Sequence, residues 1–91
     1  MAIHMIRCEL NPAKGSAYEG LAETVKGIGS GWWRCFDSTW LVMTTKTVDE
    51  VREALAPHLG EGDRLMVVAF DKGAALAGFS DIHLAWLLEA A

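Results

Sequence analysis

"GSGWWRCFDSTWLVM", residues 29–43, holds three of the four tryptophans together with Cys35 and Phe36 around a short polar break, Asp37-Ser38. Residues 31–36 and 39–45 are rich in aromatic and β-branched side chains, and the break between them has turn chemistry. The stretch therefore reads as a β-hairpin. A two-residue turn pairs Phe36 with Thr39, Cys35 with Trp40, Arg34 with Leu41 and Trp33 with Val42. Alternation along the strands then puts Trp33, Cys35, Trp40 and Val42 on one face. Trp32, Arg34, Phe36, Leu41 and Met43 fall on the other. Both faces are apolar.

Outward from the hairpin, the pattern is local and regular. Residues 2–10, "AIHMIRCEL", form a strand ended by Asn11-Pro12. Ser16 with Glu19 makes a capping box for a helix whose Ala17, Leu21, Val25 and Ile28 share a face, with Gly29 suited to its stop. Thr47 with Glu50 is a second capping box, opening a helix with Val48, Val51, Ala54, Leu55 and Leu59 on its buried side. Pro57 and Gly60 close it. "RLMVVAF", 64–70, is the most strand-like run of all.

Strand, helix, strand, strand, helix, strand is the ferredoxin-like βαββαβ order of an α+β fold: two helices on one face of an antiparallel sheet. The first and fourth strands are expected in or beside the centre. Residues 71–91 form a C-terminal strand and helix extension. Residues 74–79 would add a fifth strand to the four, and Ser80 would cap a last helix carrying Ile82, Ala85, Trp86 and Leu88. The 91 residues make one domain, 1–91, with 71–91 as a candidate dimer-contact segment.

Hydrophobic residues make up 52% of the chain, more than a core of this size can hide, and the surplus points to an oligomer interface. Helices can cover only one face of the hairpin sheet, whereas a wet antiparallel face should alternate to polar residues. A second subunit or the C-terminal segment is expected over the other face. The expected homodimer interface is Trp32, Arg34, Phe36, Leu41 and Met43. The competing reading, a base-stacking or ligand-stacking platform, has only Arg34 to supply charge.

The net charge of −4 and the scattered basic residues argue against a protein that wraps duplex nucleic acid. Cys8 and Cys35 form no CxxC pair, and His4, His58 and His83 lie far apart, so zinc spacing is absent. In a ferredoxin-like sheet the strands of Cys8 and Cys35 are not neighbours, and buried free thiols are expected for both. No signal peptide and no membrane-length apolar run is evident, which makes a cytoplasmic protein with reduced thiols the expectation.

"RCELN" at the end of the first strand, "GSGWWRCFDSTWLV" across the hairpin and "GFSDIHLAWL" near the C-terminus carry a resemblance. The chain resembles, over nearly its whole length, the SinR-family, Cas-two-like small proteins. These are relatives of the CRISPR-associated Cas-two nucleases and of virulence-associated protein D (VapD). The resemblance implies a ferredoxin-like fold and a homodimer built by packing sheet faces. In the enzymes of the wider superfamily, an Asp closing the first strand, usually after a Tyr, lies near the dimer axis and helps hold a divalent cation. The matching positions here are Glu9 and Cys8. Glu9 is thus the candidate catalytic and metal-ligating residue, and Mg²⁺ or Mn²⁺ the implied cofactor, because hard cations prefer carboxylate oxygen.

Glu remains a hard-oxygen ligand but is one methylene longer than Asp. Phosphodiester cleavage also calls for several convergent carboxylates; Asp37 lies at the hairpin turn and Asp71 just past the fourth strand, and the motif suggests only Glu9. The bland role for Glu9 is a strand-end carboxylate paired with Arg7 or Arg34. Asn11, Asp37 and Ser38 fit turns, and His58 fits the dipole at the end of the second helix. Three functions stay open. The expected one is a Cas-two-like homodimeric scaffold or interaction module associated with nucleic-acid processing or defence, holding a nucleic acid or partner protein. The alternatives are a metal-dependent endonuclease or toxin-like endoribonuclease with a carboxylate site at the dimer axis, and an acidic interaction protein that recruits through residues 71–91. The residues by themselves name no reaction.

Overall fold

The computed structural model describes residues 2–11, 15–70 and 77–78, with the side chains of residues 15–18 left out. Of the proposed strand at 74–79 only residues 77 and 78 are described, and neither is in a strand. The helix from Ser80, the Ser16 side chain of the Ser16–Glu19 box and Asp71 lie outside the described residues or side chains. Strands β1 (Ala2–Glu9), β2 (Gly31–Phe36), β3 (Thr39–Thr44) and β4 (Arg64–Phe70) make an antiparallel sheet with helices α1 (Gly15–Lys26) and α2 (Val48–Leu55). A 3₁₀ turn, Ala56–His58, continues α2. The sheet order is β2-β3-β1-β4, so β1 and β3 hold the centre and β4 takes an edge beside β1. Each βαβ unit is split: β3 lies between β1 and β2, and β1 lies between β3 and β4.

Both helices pack on one face. Leu21 and Val25 of α1, with Val51 and Leu55 of α2, meet Ile6, Cys8, Trp40 and Val42 of the central strands in the main core. Burying one such aliphatic side chain is worth about 1.5–3 kcal/mol, so this layer dominates stability. α2 begins as its sequence requires. The Thr47 hydroxyl accepts from the Glu50 N–H at 3.1 Å, and the Glu50 carboxylate accepts from the Thr47 N–H at 3.0 Å.

The hairpin turns at Asp37-Ser38, and Phe36 pairs with Thr39, as the two-residue turn demands. Beyond that pair the register slips. A β-bulge at Cys35 leaves Arg34 opposite Trp40, Trp33 opposite Leu41 and Trp32 opposite Val42. One extra residue sends every later side chain to the opposite face. The face assignment expected from simple alternation is therefore corrected. Trp32 and Arg34 sit on the helix side with Trp40 and Val42, and Trp33 joins Leu41 on the other side.

That other side carries its own small cluster. Ile3, Trp33 and Leu41 are buried there, with Met5, Cys35 and Phe70 packed around them. The five residues expected to form one dimer interface do not share a surface. Leu41 is buried within the chain, Trp32 and Arg34 belong to the helix side, and Phe36 stands 63% exposed beside the turn.

Gly29 has a different purpose from a helix stop. α1 ends at Lys26, and the chain then crosses over the end of β3, where the Ser30 N–H donates to the Met43 carbonyl at 3.0 Å. A Cβ on Gly29 would lie 1.9 Å from that carbonyl oxygen, so only glycine permits the crossing.

Candidate functional site

Glu9 ends β1, and the antiparallel register sets it directly across from Arg64, the first residue of β4. The two side chains form an ion pair at 3.4 Å, both well exposed. The partner is thus Arg64, rather than Arg7 or Arg34. Arg7, two residues earlier and hence on the same face of the strand, lies opposite Met66 and is exposed. Arg64 escaped the sequence because its contact depends on the β1–β4 register. Arg7, named from the sequence as a candidate partner of Glu9, shares its face because i and i+2 on a strand do.

Cys8 points the other way, into the core beneath the helices. Its thiol lies 3.9 Å from the Ser38 carbonyl, and burial raises its pKa against the opposing pull of the Arg34 charge. At the position where the family resemblance places a Tyr, the chain therefore holds a protonated, packed thiol. Cys35 is half-buried on the opposite face and also raised by burial. Both cysteines are free, with β3 between their strands.

Two depressions meet at Cys8 and Glu9. One, of about 630 Å³, runs over the open face between Met5, Arg7, Arg64 and Met66. The other, of about 460 Å³, lies at the hairpin end between Leu10, Arg34, Asp37 and Ser38. Arg34 is anchored there: its Nε donates to the Asp37 carbonyl at 2.9 Å, and its guanidinium lies 5.0 Å from the Trp40 ring centroid. Asp37 is thereby brought to the same depression as Glu9. Among the described residues, however, no three His, Cys, Asp or Glu side chains gather as a metal cage would require. Among the described residues, a carboxylate already paired with arginine and with no such group around it does not fit a divalent-cation site.

The other singled-out residues have structural partners. The Asp63 carboxylate accepts from the N–H of Asn11 at 2.7 Å and of Gly60 at 2.8 Å, tying the loop after β1 to the turn before β4. His58, expected at the dipole of α2, instead reaches across to α1, where its Nε2 is 2.8 Å from the Thr24 hydroxyl. That hydroxyl also donates to the Gly20 carbonyl at 3.0 Å, so the contact joins His58 to the backbone of α1. His4 is buried, its Nε2 donating to the Lys46 carbonyl at 2.7 Å. Of the three hairpin tryptophans, Trp33 and Trp40 are core. Trp32 is 44% exposed, with Lys26 5.1 Å above its ring.

No described helix is long and apolar enough to cross a membrane. Compared with protein-family models, curated proteins and solved structures, the chain matches none.

Proposed function

We propose that the protein is a homodimeric scaffold or interaction module of ferredoxin-like, Cas-two-like type, which holds a nucleic acid or partner protein in nucleic-acid processing or defence and has no strong catalysis of its own. The observation that carries the dimer is the apolar end of β4. Met66 is 59% exposed and Val68 40% exposed on the face away from the helices, where a wet antiparallel sheet should present polar side chains. The two split βαβ units with both helices on one face support the ferredoxin-like reading. The link to nucleic acid rests on the resemblance of the "RCELN" and "GSGWWRCFDSTWLV" motifs.

A metal-dependent endonuclease is the second reading, favoured by one observation: Glu9 is exposed where the two depressions meet, with Asp37 in one of them. Sedimentation equilibrium combined with Mn²⁺ titration of the wild type and Glu9→Gln separates the two. The scaffold predicts a dimer that takes up no Mn²⁺ in either form. About one Mn²⁺ per dimer, lost in Glu9→Gln, would replace the scaffold with the nuclease. A monomeric wild type would overturn the dimer.

A further inference from the structure

We propose that two copies of this chain meet face to face over the exposed end of the β1–β4 pair, with Arg7 of one protomer seated against the partner's Glu9, and the reverse. The inference rests on the dimer reading above and names the surface and the contact that sets its register.

The face away from the helices divides into two sectors. Around Ile3, Trp33 and Leu41 it is buried within the chain. Around Arg7, Glu9, Met66 and Val68 it is exposed. The register puts these four side chains together: Arg7 lies across from Met66, Met5 across from Val68, and Glu9 across from Arg64. Apolar side chains there favour a dry partner, and the depression of about 630 Å³ between Met5, Arg7, Arg64 and Met66 offers a concavity for it.

Charge selects a second copy of the chain as that partner. Among the described residues Arg7 makes no ion pair and Glu9 makes only the exposed pair with Arg64, of a kind worth at most about 1 kcal/mol. A carboxylate presents about four lone-pair sites and can accept a second guanidinium. Arg7 and Glu9 stand two residues apart on one face of β1, roughly 7 Å along the strand. A two-fold axis lying midway between the packed faces, over position 8 and perpendicular to β1, exchanges them, so each Arg7 faces the partner's Glu9. That reciprocity, i with j and j with i, is what an isologous interface requires. Packed sheets stand about 10 Å apart, within reach of an extended arginine. A chain of net charge −4 repels its own copy in general, and an alternating +/− pair on the contact face offsets this locally.

The test is a charge-swap mixture read by sedimentation. Arg7→Glu makes positions 7 and 9 both acidic and Glu9→Arg makes both basic, while Arg64 beside position 9 is unchanged in each. Each variant alone is expected to dimerise on the order of tenfold or more weakly than wild type, and a one-to-one mixture is expected to recover a heterodimer. Both positions are exposed, and circular dichroism checks that each variant is folded. Variants that dimerise like wild type would overturn the Arg7–Glu9 contact while leaving the dimer standing, as would variants that dissociate but fail to associate when mixed. A wild type that sediments as a monomer would remove the dimer reading together with the contact.

Discussion

Arg64 stands directly across the β1–β4 ladder from Glu9, its guanidinium 3.4 Å from the carboxylate. The contact turns the one residue that the family resemblance marks as a metal ligand into half of an ion pair. It also defines what Glu9 can do for stability. Both side chains are exposed, and exposed pairs contribute little after side-chain entropy and salt screening. Glu9→Gln and Arg64→Gln should each change the unfolding free energy by no more than about 0.5 kcal/mol, measured by urea denaturation at moderate salt and at protein concentrations too low for the dimer. A loss several times larger would mean that the pair is structural after all.

Gly29→Ala should be far more damaging than a substitution near a helix end usually is. The new methyl would meet the Met43 carbonyl oxygen and the Thr44 Cβ at distances that force the backbone to move. Overpacking of this kind costs about 1–3 kcal/mol, and a backbone neighbour that cannot rotate away points to the upper end. Gly27, whose added Cβ would lie 3.7 Å from its nearest neighbours, is the control. Gly27→Ala should cost much less in the same denaturation series.

The α2 capping box makes an acid-labile contribution. Hydrogen bonds from the Thr47 N–H and hydroxyl hold the Glu50 carboxyl below its ordinary value. A depressed folded pKa favours the native state above the unfolded pKa, and the benefit is lost as pH falls through the folded value. Thr47→Ala should cost about 1 kcal/mol at neutral pH. The difference in melting temperature between wild type and Glu50→Gln should shrink as the pH is lowered below the ordinary glutamate range. A constant difference would show that the carboxylate charge has no part in the cap.

Cys8 and Cys35 should be slow to react with a thiol reagent at pH 7 in the folded protein and quick once it unfolds. Burial raises both pKa values, so the reactive thiolate is scarce in the native state. The sign for stability follows: with the folded pKa above the unfolded one, the native state holds the proton more tightly. Stability therefore declines as pH rises past the ordinary thiol value. Cys35, half-buried, should label before Cys8, whose side chain is 1% exposed. Equal and rapid labelling of both would contradict the packing of Cys8 beneath the helices.

The local elements were legible residue by residue. "RLMVVAF" is a strand because its side chains suit a pleated surface, and Thr47 with Glu50 starts a helix because two side chains satisfy two free N–H groups within four residues. Asp37-Ser38 turns because it is short and polar between two strands. Each of these depends only on neighbours in the chain.

Tertiary structure decided what depends on distant neighbours. Which way Trp32 and Trp33 point follows from a single bulged residue at Cys35, and alternation by itself has no means of signalling that slip. Gly29 is glycine because of the Met43 carbonyl, fourteen positions away, rather than because a helix ends nearby. His58 bonds Thr24 across the helix pair instead of capping its own helix. Glu9 meets Arg64 because β4 returns beside β1 in one register out of several that an apolar strand would tolerate. Propensity and capping act over a few residues and are written in the sequence, whereas register and packing arise only when the strands close into a sheet.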